Sequence, residues 1–124
     1  MGAEAKPTVG IVDDDDMIRA FLRVILREFG LDVVCEARTL REAKARVAAK
    51  SPNLVFLDIH LPGGSGLEAL AGLREESPGS RFIMLTSDST PDNVKAAVED
   101  GARGFVVKPF TADSVLAAIQ RAAK

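Results

Sequence analysis

The sequence predicts a doubly wound α/β fold, a five-stranded parallel sheet with helices on both faces. Three observations predict it. Short apolar runs and helix-period stripes alternate five times along the 124 residues. Most of the apolar runs are continuous rather than alternating, as expected of strands covered on both sides. The connections are short, which suits strand–helix units that return repeatedly to one sheet. A chain of this length fits one domain, 1–124, and buries roughly two thirds of its unfolded surface on folding.

Residues 1–7 are polar and are expected to be a flexible N-terminus. They have no apolar core of the kind a secretory signal needs. Gly2 is not a myristoylation site either, because Lys6 stands where Ser or Thr is required. The strand candidates are Thr8–Val12, Asp32–Glu36, Leu54–Leu57, Arg81–Thr86 and Gly104–Val107. After the first, Ile18, Phe21, Leu22, Ile25, Leu26 and Phe29 recur at spacings of three and four and predict one apolar helix stripe. Leu40, Ala43 and Val47 make the second stripe, and Leu67, Leu70 and Leu73 the third. Val94, Ala97, Val98 and Gly101 make the fourth, and Val115, Ala118, Ile119 and Ala122 the fifth. Thr39 to Glu42 and Ser65 to Glu68 read as capping boxes. Thr90-Pro91 places a cap before a first-turn proline, and Gly30 and Gly101 read as C-terminal stops. The fifth helix is expected to close the chain, with no residues left over for an output domain.

Composition narrows the function classes. Net charge is -2, so there is no general electrostatic drive towards nucleic acid or an anionic membrane. No apolar run approaches the roughly 20 residues that span a bilayer. The single cysteine, Cys35, excludes an internal disulfide and suits a reducing, cytoplasmic setting. It reads as a buried small hydrophobe.

The chemistry concentrates at the ends of strands. Asp13-Asp14-Asp15-Asp16 follows Val9–Val12. Two carboxylates 4 Å apart repel by about 4 kcal/mol at an effective dielectric of 20, so such a cluster calls for a cation. Asp15 or Asp16 suits the positive end of the first helix. Leu54–Leu57 runs into Asp58, and Phe105–Val107 runs into Lys108. In an open parallel sheet such ends converge where the winding direction reverses.

Val12-Asp13-Asp14, then Asp58 with Leu61-Pro62 and Gly66, then Thr86, then Lys108-Pro109-Phe110 form an ordered set. This set resembles bacterial response-regulator receiver domains, of the chemotaxis-regulator kind and flavodoxin-like fold, over about Thr8 to Lys124. The resemblance implies that Asp58 accepts a phosphoryl group from a histidine kinase or phosphotransfer protein. Asp14, Asp58 and the backbone carbonyl of His60 would bind Mg²⁺, with Asp13 holding a metal-bound water. Lys108 would pair with a phosphoryl oxygen. Thr86 would bond the phosphoryl group while Phe105 turns inward, reshaping the surface of the fourth helix, fifth strand and fifth helix for a downstream partner or effector domain. Pro109 would follow a cis peptide bond that aims Lys108 into the site.

The match departs from the family in places. Phe105 stands where Tyr is frequent and offers no hydroxyl. Ser87 replaces a small alanine. Asp88 and His60 flank the expected path of water and would modulate the acyl-phosphate lifetime. Arg103 stands where one transcription-factor subfamily has an acid used in dimer contacts. Gly63-Gly64 reads as a flexible loop, since the lysine of a phosphate-cradling loop is missing.

The function expected is a phosphorylation-dependent signalling switch, free-standing or part of a larger regulator, and not a turnover enzyme. A binding module that is never phosphorylated is the alternative, and the intact set of charges argues against it. A Mg²⁺-dependent phosphatase would want an acid where His60 stands. A flavin carrier would want hydroxyls rather than aspartates in the first loop, and Tyr or Trp, which the chain lacks.

Overall fold

A computed structural model describes residues 6–123. The main elements, in order, are β1 (Thr8–Val12), α1 (Asp16–Glu28), β2 (Asp32–Ala37), α2 (Leu40–Lys50) and β3 (Leu54–Asp58). A two-residue hairpin follows, β4 (His60–Leu61) and β5 (Gly64–Ser65). Then come α3 (Gly66–Glu76), β6 (Arg81–Thr86), α4 (Pro91–Glu99), β7 (Gly104–Val107) and α5 (Ala112–Ala122). The main sheet is parallel, in the order β2-β1-β3-β6-β7. The chain winds one way from β1 to β2 and the other way from β3 onward, so the reversal falls between β1 and β3. Residues 1–5 of the expected flexible N-terminus lie outside the described residues. The carbonyl of Pro7 accepts from Asp32 N at 2.9 Å, extending the first ladder by one step.

Alternation along the strands sorts the core into two layers. Val9, Ile11, Leu54, Phe56, Ile83, Leu85 and Val106 face α1 and α5. Val12, Val55, Leu57, Phe82 and Met84 face α2, α3 and α4. Both layers are needed because the central strands β1, β3 and β6 are apolar on both faces, and each fully buried large side chain contributes about 1.5–3 kcal/mol. At Gly10 the absent side chain leaves room for Cys35: a Cβ there would lie 3.0 Å from its sulfur. Cys35 is half-buried rather than buried.

Three local expectations need correction. Phe21 and Val98 belong to predicted apolar stripes but are 51% and 60% exposed. The caps at Thr39 and Ser65 are one-sided. Each hydroxyl accepts a first-turn N–H, but Glu42 Oε1 takes the N–H of Arg38 rather than that of Thr39. The reciprocal capping box is at Thr111 and Ser114, where Ser stands in place of the usual Glu. Gly63-Gly64, expected as a flexible loop, is part of the β4–β5 hairpin: Gly63 lies in its turn at φ 85°, a value that suits glycine, and Gly64 pairs with Leu61.

Candidate functional site

The site lies beyond the carboxyl ends of β1, β3, β6 and β7. Val12 and Leu57 are paired across β1 and β3, so the residues that follow them, Asp13 and Asp58, sit side by side. β3 runs one residue further than its apolar run and ends on Asp58. Asp58 keeps its position partly because Gly66 has no side chain: a Cβ there would collide with the carbonyl oxygen of Asp58. β7 ends at Val107, and Lys108 N donates to Thr86 O at 2.8 Å. The Lys108–Pro109 peptide is cis.

The charged side chains converge. Lys108 Nζ lies 2.7 Å from Asp13 Oδ2 and 3.0 Å from Asp58 Oδ2. One carboxylate oxygen from each of Asp13, Asp14 and Asp58 lies within 4.8 Å of the other two. Asp13 is fully buried and Asp58 nearly so, while Asp14 is exposed. The two Asp13 oxygens differ. Oδ1 accepts the N–H of Asp15 at 2.9 Å. Oδ2 receives no well-directed hydrogen bond despite its short distance to Lys108, so that contact is chiefly electrostatic. Asp58 Oδ1 accepts the N–H of His60 at 3.1 Å.

Burial pushes the Asp13 carboxyl up from its ordinary value. Lys108 and the Asp15 N–H pull it down, and the charge of Asp58 adds to the rise. Burial pulls the Lys108 ammonium down, but Asp13 and Asp58 together outweigh it and hold it above its ordinary value. An acid whose pKa rises on folding costs stability above its unfolded value, and a cation bound beside it offsets that cost. Three carboxylates and one poorly satisfied buried oxygen make a hard oxygen-donor set, which suits a divalent cation such as Mg²⁺.

The remaining predicted residues surround this cluster. Thr86 is fully buried at the end of β6, and its Oγ1 accepts the N–H of Asp88 at 2.8 Å. Phe105 pairs in register with Met84 and packs, half-buried, on the α2–α4 side of the core. His60 and Ser87 are exposed. His60 Nε2 stands 3.4 Å from Asp88 Oδ2, joining the loops after β3 and β6 across the mouth.

Sequence reasoning missed one part of the neighbourhood. Arg19 donates to the Asp13 carbonyl at 2.7 Å, to Glu36 at 3.2 Å and to Asp16. Arg23 binds both Glu36 oxygens, at 2.6 and 2.8 Å. Arg46 donates to the Glu36 carbonyl. The only signal in the chain was an acid inside a strand, Glu36, which calls for a nearby cation.

A half-buried lysine reaching two acids at the switch point of a five-stranded parallel sheet defines the class. The family model for the response regulator receiver domain matches residues 9–120, and the chain belongs to that family, the phosphorylation-dependent switches of two-component signalling. It is similar to the chemotaxis protein CheY of Listeria monocytogenes, 39% identical over 114 residues, 92% of this chain and 96% of that protein. It is also similar to the DNA-binding transcriptional activator DevR/DosR of Mycobacterium tuberculosis, 40% identical over 101 residues, 81% of this chain and 46% of the relative. A response regulator structure from Burkholderia pseudomallei, with a phosphorylated aspartic acid, calcium ion and citrate, superposes at TM-score 0.86 with 29% identity, covering 95% of this chain and 69% of that one. Among the described residues no helix is long and apolar enough to cross a membrane.

Proposed function

We propose that the chain acts as one receiver unit in which Asp58 is the phosphoacceptor. The observation that carries this reading is the contact of Asp58 with Lys108 at 3.0 Å inside the three-carboxylate cluster. An Asp58 oxygen forms a bond to the phosphorus of a phosphohistidine on a histidine kinase or phosphotransfer protein. The P–N bond breaks, and the imidazole nitrogen keeps the electron pair and takes a proton from solvent. Lys108 leaves the acids to pair with a phosphoryl oxygen. Asp13, Asp14, Asp58 and the His60 carbonyl would hold Mg²⁺. Bound there, the ion offsets the repulsion between an anionic donor and an anionic acceptor. The related Burkholderia structure, with its phosphorylated aspartic acid and calcium ion, supports the pairing of acceptor and divalent ion.

The donor protein approaches over α1. Met17 and Phe21, 81% and 51% exposed, lie in the first two turns of α1, just after the acidic loop. Phe21 also stacks on Phe110 at 5.4 Å, two residues beyond Lys108. That apolar patch at the mouth suits a protein surface. Output runs through Thr86 and Phe105. When the Thr86 hydroxyl turns to the phosphoryl group it gives up the Asp88 N–H, and Phe105 follows inward. The surface of α4, β7 and α5 then changes for a downstream partner. Val98 and Val107 already stand exposed on it, at 60% and 45%. The chain promotes its own phosphorylation and dephosphorylation, without turnover on an external substrate. It works in the cytoplasm, with no direct binding of nucleic acid or membrane.

The test is intact mass after incubation with acetyl phosphate and Mg²⁺, with Asp58→Asn alongside. The expected result is one phosphoryl group gained, dependent on both Mg²⁺ and Asp58. No gain in folded protein, with a working receiver labelled in parallel, would favour a binding module that is never phosphorylated. Decay of the labelled protein then tests the rim. His60→Ala, Asp88→Ala and Ser87→Ala are expected to change the acyl-phosphate lifetime, and unchanged decay in all three removes the modulating role.

A further inference from the structure

We propose that Arg19 is a positioning residue of the divalent-cation site. It would hold the Asp13-Asp14 peptide so that both carboxylates face the cation. This rests on the metal reading above and extends it to a residue that does not itself reach the cation.

The argument starts from where the guanidinium sits. Arg19 belongs to the second turn of α1, and its side chain is only 11% exposed. Its three partners come from different segments: the main-chain carbonyl of Asp13 at 2.7 Å, Glu36 Oε1 on β2 at 3.2 Å, and the Asp16 carboxylate. Glu36 is itself clamped by Arg23 from the same helix. The guanidinium is thus fixed from both sides, and it passes that rigidity to one carbonyl.

That carbonyl matters because it is the peptide between the two acids. If it rotates, the Asp14 carboxylate swings relative to Asp13. The Asp13 N–H is already held by Ala37 O at 3.0 Å and the Asp15 N–H by Asp13 Oδ1 at 2.9 Å. Arg19 closes the remaining freedom between these two points. It also does so without occupying a carboxylate oxygen of Asp13, Asp14 or Asp58. Lys108, by contrast, sits on the acids themselves.

A second cation near a metal site has two opposing effects. Its charge repels the ion, and its hydrogen bond orders the ligands. The fork geometry separates them, because lysine keeps the charge and cannot make three directed bonds in one plane.

The experiment measures Mn²⁺ binding to the full chain from the free-ion electron paramagnetic resonance signal, together with urea unfolding of each variant. Arg19→Gln and Arg19→Lys are both expected to weaken Mn²⁺ binding, by about 10-fold, as loss of an outer-shell partner does. Arg23→Gln removes a comparable pair to Glu36 and loosens one partner of Arg19, but leaves the direct Arg19 bond to the Asp13 carbonyl, so it is expected to lower stability and to weaken Mn²⁺ binding far less than either Arg19 variant. The proposal is overturned if Arg19→Lys binds Mn²⁺ as wild type does, or if Arg23→Gln weakens binding as much as Arg19→Lys. Tighter binding by Arg19→Gln would mean that charge repulsion dominates, and that also overturns it. If the wild-type protein binds no Mn²⁺, the metal reading itself falls and this proposal falls with it. Should Arg19→Gln fail to fold, the Arg19→Lys comparison still decides.

Discussion

On the β1–β3 side of the mouth, every residue of β3 and all but the first of β1 are buried, and the acidic loop is tied to α1 and β2 by a network of arginines and acids. On the β7–α4 side, β7 buries one residue of four and α4 buries only Ala97. Thr86 is held there by a hydroxyl bond to a loop N–H, and the loop is joined to the opposite rim by one exposed His60–Asp88 contact. The difference fits the proposed roles. The half that carries Asp58 and the other acids is the more tightly packed, as a proposed ligand set requires, since ligands displaced by a fraction of an ångström lose their geometry. The half that carries β7, Phe105 and the outer face of α4, with the buried Thr86 at its inner edge, has fewer buried residues to disturb in the proposed switch.

Three measurements break or sharpen this contrast, in order of size. Leu57 is fully buried in β3 beside Asp58. Leu57→Ala is expected to cost about 3 kcal/mol in urea unfolding, and a loss below about 1 kcal/mol would mean that the fixed side is not tightly packed. Glu36 comes next. The hydrogen bond from Arg23 holds its carboxyl below the ordinary 4.5, against the opposing pull of burial, and Arg19 adds to the lowering. An acid with a depressed folded pKa contributes stability that is present above its unfolded value and lost as pH falls through the folded one. Wild type is therefore expected to exceed Glu36→Gln by about 1 kcal/mol at neutral pH, with the gap closing below pH 4.5. A gap that persists at low pH would assign the effect to packing. Smallest is Val98→Ala on the outer face of α4, expected to change stability by less than about 0.5 kcal/mol. A larger loss would show that Val98 is covered in solution.

Much of the site was legible because each of its residues ends a strand of strong local pattern. The apolar runs before Asp13, Asp58 and Lys108 mark three strand ends, and Thr86 closes a fourth. A parallel sheet with one reversal brings them to one edge. The Arg19–Glu36 pair was not legible, because 17 residues separate its partners and nothing local distinguishes Arg19 from a solvated helix arginine. The exposure of Phe21 and Val98 was not legible either. Helical spacing states which residues share a face, and the number of neighbours packed on that face sets how wide a stripe is covered. The β4–β5 hairpin pairs two residues with two, too few for any periodicity to register.

The sequence by itself determined the five strands, the helices between them and the identity of the charged residues at the strand ends. These follow from hydrophobic period and capping chemistry, which act within a few residues. Only the tertiary structure decided which oxygen of Asp13 meets Lys108, which arginine contacts the acidic loop and which side of the mouth is the less buried. Those depend on distances between segments far apart in the chain, and packing sets such distances.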